Sequence, residues 1–360
     1  MIVTPALSAY LDFLRFVAAF AVLLGHMDQD GVSMAWMPLS RYSHEAVVVF
    51  FVLSGFIIYY STTSRASTWQ QYAVARLSRI YSVALPAVLF SAGVALWLQQ
   101  LPTFDPQDFS NYRHPDVWDG ISSLLFLNQS WLNSASLTMN DPYWSLCYEV
   151  WYYVVFGAFF FASGRKRWLF AGVAALVAGP AILVLFPVWL MGAWLAASGR
   201  HQTKWSGVRP WLAFFLPVLV IVLIDVTELD ELVQSTLYQT VPGFWRLVSS
   251  QRFVTDYLIG LALCLHIAAF SSLPAAVQSW FAQRQALWAA LAGFSFTLYL
   301  FHRPMTQVIG AWWPQASGQI LVPTVWASAI LLVCWGISWG TEKQLPRWRR
   351  VFARLLERSA

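Results

Sequence analysis

The chain has 360 residues, of which 58% are hydrophobic, 17% aromatic and only 11% charged, with a formal charge of +5 and a mean hydropathy of +0.56. About a quarter of the residues in a soluble globular domain are charged, so this composition excludes one. Apolar runs separated by short polar joints recur throughout, and no low-complexity tract, hinge or short-period repeat divides them.

The pattern predicts an all-α polytopic membrane protein, with a membrane domain over 1–345 and a basic C-terminal tail over 346–360. Ten spans are expected, near 10–27, 44–62, 80–100, 144–162, 168–180, 184–199, 210–226, 254–272, 287–309 and 320–340. The fifth and sixth are short, broken by "AGPAILVLFPVW", and read as tilted or partly re-entrant.

The first span is not a cleaved signal peptide by pattern. No Lys or Arg precedes Arg15, Asp12 opens the apolar run, and "GHMDQD" lacks a small-x-small cleavage site. Within it Arg15 and His26 stand eleven residues apart. That is about three helical turns and roughly 16 Å, with both side chains on one face. Either group alone has an ordinary reading, a snorkelling arginine or an interfacial histidine. Their shared face favours a lined pathway, because intramembrane ionisable groups face a cavity or one another.

The second span carries Ser54-Gly55, a small-residue step suited to close helix approach. Arg76 and Arg79 begin the third, three residues apart. Such a pair is either a topological anchor or a bidentate holder of an anionic ligand. The fourth begins "DPYWSLCYEVWYY", placing Glu149 about two turns in among Tyr148, Trp151, Tyr152 and Tyr153. A glutamate at that depth faces inward. "FSFTLYLFHRPM" ends the ninth and sets His302 near the same side as His26. His26, Glu149 and His302 are therefore expected at one level. A histidine beside a carboxylate is either a general base or a buried pair that locks helices. Cys147, Cys264 and Cys334 fall in separate apolar runs and read as ordinary buried thiols.

Charge orients the stack. One set of joints holds Arg65, Arg76, Arg79, "GRKR", Arg200, Lys204, Arg209, Arg284 and the tail "EKQLPRWRRVFARLLERS". The other holds Arg41, Arg113, Arg246 and Arg252 among many acids. The positive-inside rule places the first set and both termini in the cytoplasm. The net positive charge then reflects orientation and anionic lipid headgroups, with no nucleic-acid partner expected.

Taken together, these stretches resemble the acyltransferase-3 family of integral-membrane acyltransferases over nearly the whole chain. The family's Arg-x10-His falls on Arg15 and His26, its "FFxxSGF" on Phe50 to Phe56 and its RxxR on Arg76 and Arg79. Its "WSLxxE" falls on Trp144 to Glu149, and its "YxLYLxHxP" region on Phe296 to Pro304. The resemblance implies about ten transmembrane helices around a donor channel, in the cell inner membrane. It implies transfer of an acyl group, often acetyl, from cytoplasmic acyl-CoA to a hydroxyl of an extracytoplasmic glycan or lipid-linked sugar, with no metal. It makes His26 the catalytic histidine and Glu149 a functional acid. Arg15, Arg76 and Arg79 become acyl-CoA-binding residues, and Ser54 and His302 additional site residues.

Two positions depart from the family pattern. Ser82 stands where many relatives have proline, and Val150 where others have a second acid, which puts more weight on Glu149. No hydrolase-like soluble segment is appended, so transfer is expected either to be direct or to be finished by a separate periplasmic partner. Two other classes compete. A secondary transporter would use Arg15, His26 and Glu149 as a path, although no inverted repeat is visible. A metal-dependent sugar transferase would build on "DQD" at 28–30.

Overall fold

The computed structural model describes residues 3–32, 37–65, 67–109, 112–131, 136–202, 204–313 and 320–357. The helices are α1 (Pro5–Gln29), α2 (Ser43–Ser64), α3 (Trp69–Leu98), α4 (Val117–Leu124), α5 (Tyr143–Phe161), α6 (Gly164–Ala178), α7 (Pro180–Ser198) and α8 (Arg209–Val226). They continue with α9 (Leu229–Thr240), α10 (Phe253–Phe270), α11 (Ala275–Gln283), α12 (Gln285–Ala292), α13 (Ser295–Trp312), α14 (Leu321–Ser338) and α15 (Leu345–Glu357). Among the described residues no strand forms beyond one isolated bridge, Leu137 to Asn140. The chain is an all-α polytopic membrane protein.

A helix stands at each of the ten expected spans, and seven helical segments are long and apolar enough to cross a membrane. The three that fall short do so for visible reasons. α6 has 15 residues. α5 carries Glu149 and four tyrosines, and α13 carries His302, Arg303 and Gln307, all three of them buried. Polar groups turned inward lower a helix's hydropathy without exposing anything to lipid.

Several boundaries differ from the sequence reading. The third span starts at Trp69, not near 80, because Thr68 and Gln71 form a reciprocal capping box there. Arg76 and Arg79 consequently sit inside a 30-residue helix rather than at its start. The expected ninth span, 287–309, is two helices, α12 and α13, divided at Gly293-Phe294. The Glu342 carboxylate accepts from the Thr297 backbone N–H at 3.0 Å and its hydroxyl at 2.9 Å, satisfying an orphan donor of the new helix start. The break between the fifth and sixth spans falls at Gly179 and Pro180, where Gly179 takes φ +86°. The segment expected as a tail forms α15 over Leu345–Glu357 and packs along α3, with Phe352 against Tyr81 at 5.7 Å. The short α4, α9 and α11 lay outside the expected spans.

The tightest helix pair is α2 with α7. A Cβ on Gly55 would stand 1.9 Å from the Trp189 carbonyl oxygen, and one on Gly192 would stand 2.0 Å from that of Val52. The two backbones touch where each lacks a side chain, which is the close approach that Ser54-Gly55 suggested. α1 packs against α2, α12 and α13. Phe16 meets Phe294 at one level and His26 meets His302 further along, so α1 and α13 run in the same direction.

Candidate active site

α1 joins two chemically distinct regions. At its C-terminal end the His26 Nδ1 and His302 Nε2 atoms lie 2.9 Å apart. His302 is fully buried, and its Nδ1 is 2.9 Å from the Leu298 carbonyl oxygen, one turn back on α13. A carbonyl only accepts, so Nδ1 of His302 carries the proton and its Nε2 carries a lone pair. That lone pair accepts from Nδ1–H of His26, leaving Nε2 of His26 as the free basic nitrogen. His26 is partly exposed, so this nitrogen belongs to the accessible member of the pair.

Arg303, the next residue, pins the pair. Its side chain is 3% exposed and is ion-paired to Asp30, just past the end of α1, and to Asp141 through Nε at 2.6 Å. Burial pushes the Asp30 carboxyl above its ordinary range, opposed by the Arg303 charge. A buried guanidinium with two carboxylates is compensated, and it ties the ends of α1 and α5 to α13. Asp30 of the "DQD" triplet is thus engaged by a cation. Among the described residues no group of three or more His, Cys, Asp or Glu is placed to hold a metal ion.

The other end of α1 faces a cavity of about 270 Å³, lined by Arg15, Arg76, Arg79 and Arg349 with Glu149 as its acid. Arg15 is 3.6 Å from Asp12. Arg76 lies 5.9 Å from the ring centres of both Tyr72 and Tyr153, and its buried Nε has no hydrogen-bond partner among the described residues. Arg79 is held 3.1 Å from Glu342 and stacks on Phe296 at 5.4 Å. Asp12 and Glu342 compensate Arg15 and Arg79, and Arg76 and Arg349 add further positive charge, which makes the cavity receptive to an anion. Ser145 and Tyr299 also line it, with their hydroxyls 2.6 Å apart. The Tyr299 ring is 6.3 Å from that of His302, while neither histidine is among the residues that line the cavity.

The structure brings His26 and His302 together as expected, and Arg15, Arg76 and Arg79 together as expected. It does not bring Glu149 to the histidines. The Glu149 carboxylate instead accepts from the Tyr153 hydroxyl at 2.6 Å and shares the arginine cavity. The reason lies in where α5 enters. Arg303 holds Asp141, and Tyr299 donates to the Pro142 carbonyl at 3.2 Å, so the helix starts at the histidine level. Glu149 follows seven residues after Pro142, about 10 Å deeper at 1.5 Å per residue. The partner that orients His26 is therefore an imidazole and not a carboxylate.

Ser54 supports the cavity from α2. Its hydroxyl is 3.2 Å from that of Tyr153 and accepts from the Trp189 indole N–H at 3.1 Å. Sequence reasoning left Arg303, Tyr153, Ser145, Tyr299 and Arg349 unassigned. Arg303 was visible beside His302 in "FHRPM", and Asp141 opened "DPYW". Arg349 was counted only as part of the basic tail.

Fold and site together define a helical membrane protein in which one helix carries both an arginine of an anion-receptive cavity and an oriented histidine. The chain belongs to the acyltransferase-3 family, whose model, described as an acyltransferase domain, matches residues 8–341. It is also similar to the acyltransferase MdmB of Streptomyces mycarofaciens, with 32% identity over 183 residues. That match covers 46% of this chain and 44% of the relative, so the chain spans less than half the length of the relative it matches. No solved structure matches.

Proposed function

We propose that this protein moves an acyl group, most simply acetyl, from cytoplasmic acyl-CoA to a hydroxyl of an extracytoplasmic glycan or lipid-linked sugar. The observation that carries this reading is the pairing, along one helix, of an arginine-lined cavity with a histidine whose basic nitrogen is left free by its hydrogen bonds. The excess of Lys and Arg on the cavity side supports a cytoplasmic entrance for the donor and cytoplasmic termini, with the acceptor outside.

In this mechanism the donor's phosphates meet Arg76 and Arg79, and Arg15 stabilises the donor further along the cavity. The thioester lies at the Ser145–Tyr299 end. His26 Nε2 removes the proton from the acceptor hydroxyl as its oxygen forms a bond to the thioester carbonyl carbon. The carbon–sulfur bond then breaks, and the CoA thiolate takes the proton back from the His26 imidazolium. The products are the O-acyl ester and free CoA. His302 acts as a positioning residue, since it fixes the tautomer of His26 and continues to accept from Nδ1–H in the imidazolium. Glu149 orders the arginine cavity through Tyr153 and through its charge. The transfer is direct, with both substrates bound at once.

Purified protein incubated with labelled acetyl-CoA and a panel of bacterial envelope glycans is the test. Label is expected in an acceptor with wild-type protein and lost by at least 10²-fold in His26→Ala. Undiminished transfer by well-folded His26→Ala protein would overturn the mechanism.

A further inference from the structure

Beside the arginine cavity lies a second of about 460 Å³, and the two share Ala75, Arg76 and Arg349 in their linings. They differ in character. The inner one is walled largely by apolar groups such as Phe50, Leu53, Ile57 and Ile80. The outer one is walled by Ser61, Thr62, Ser67, Gln70 and Gln71, and its charged lining groups are Arg65, Arg76 and Arg349. Its charge is therefore wholly positive.

One stripe of α15 runs over both. Leu345 and Arg349 line the inner cavity, and Arg349, Ala353 and Leu356 line the outer. These positions are spaced by four, four and three residues, one face of a helix. The helix is fixed at its start by Glu342, which holds Arg79 at 3.1 Å, and along its length by Phe352 on Tyr81 at 5.7 Å. Arg349 thus sits at the junction of a polar, cationic outer chamber and a smaller inner one that combines apolar walls with Arg15 and Arg79. A ligand spanning both chambers has a phosphate-bearing head and a slender arm with apolar segments.

We propose that α15 is a working wall of the donor site, with Arg349 at the junction and Arg65 in the outer chamber binding the phosphates of the acyl donor's nucleotide end. This rests on the acyl-CoA reading above. It extends the donor's phosphate contacts from Arg76 and Arg79 into the larger outer chamber. Arg349 is exposed, and Phe352 on Tyr81 remains to hold α15 on α3 when it is replaced.

The test measures binding of CoA and of pantetheine, which lacks the phosphates, to the purified full chain in neutral detergent and in nanodiscs containing phosphatidylglycerol. Arg349→Ala is expected to weaken CoA binding about 10- to 100-fold, as loss of a charge-assisted contact does. Arg349→Glu should weaken it further, Arg349→Lys should recover part, and Arg65→Ala should act in the same direction as Arg349→Ala. Pantetheine affinity should not change in any of them. Unfolding midpoints equal to wild type establish that the variants are folded. Wild-type CoA affinity in both Arg349→Ala and Arg349→Glu would overturn the proposal while leaving the acyl-CoA reading intact. Altered behaviour confined to the anionic nanodiscs would overturn it in favour of a lipid-headgroup contact. Failure of the wild-type protein to bind CoA in either medium would remove the donor reading and this proposal together.

Discussion

His302 offers the sharpest test of how the candidate base is prepared. In His302→Leu a group of similar bulk fills the site, but Nδ1–H of His26 loses the acceptor now 2.9 Å away. His26 is then free to change tautomer and to turn its basic nitrogen from the acceptor. Loss of an orienting partner behind a functional histidine typically costs 10- to 100-fold, about 1.4–2.7 kcal/mol of transition-state stabilisation. That is smaller than the loss expected for His26→Ala, since the imidazole itself remains. In His302→Gln the amide oxygen can still accept, so most of the lost rate should return. Initial rates of labelled acetyl transfer at saturating donor give kcat, and donor titrations give KM. The drop should fall on kcat, with donor KM unchanged. A folded His302→Leu protein with wild-type kcat would refute the reasoning, as would a His302→Gln protein no better than the leucine variant.

Glu149→Gln keeps the size of the side chain and leaves the His26–His302 bond untouched, so it should retain at least about a tenth of turnover where His26→Ala retains a hundredth or less; equal losses measured in the same assay would return Glu149 to the histidine. Gly55→Val should cost at least the 1–3 kcal/mol typical of overpacking, because its Cβ would overlap the Trp189 backbone; an unaltered thermal unfolding midpoint in detergent would contradict the packing. Single-cysteine variants at Gln107 and Leu355, both exposed, test the orientation with an impermeant maleimide on intact cells. Labelling is expected at 107 and protection at 355, and the reverse pattern would invert the topology.

Helix positions were legible because long apolar helices leave an unmistakable signature, as α2, α7 and α14 do. The Arg15–His26 pair was legible because helix geometry alone puts eleven-residue neighbours on one face. What the sequence hid was depth. Counting residues into the fourth span placed Glu149 with the histidines, but the true entry point of α5 is set by Arg303 gripping Asp141, an ion pair between segments 162 residues apart. No local pattern announces such a tether. The division of the ninth span was hidden for the same reason, since the group that caps α13 is Glu342, 45 residues further on. Arg349 was concealed by composition: five arginines in a short basic stretch read as an anchor, and only packing on α3 distinguishes the one that faces a cavity.

The histidine pair also has a bearing on assembly. Its two rings are 276 residues apart in the chain, and the Arg303–Asp30 tether beside them spans 273. Contacts that close so long a loop repay their entropy only after the intervening segments have packed, and so they form late. α1 enters the bilayer early in synthesis carrying a histidine without its ring partner, and α13 supplies that partner after most of the helices have been made. A fragment lacking 295–312 would keep the arginine of the first helix, and much of the cavity around it, while its histidine stayed unoriented. Under the proposed mechanism, group transfer would report on completed assembly of the whole bundle, whereas donor binding would precede it.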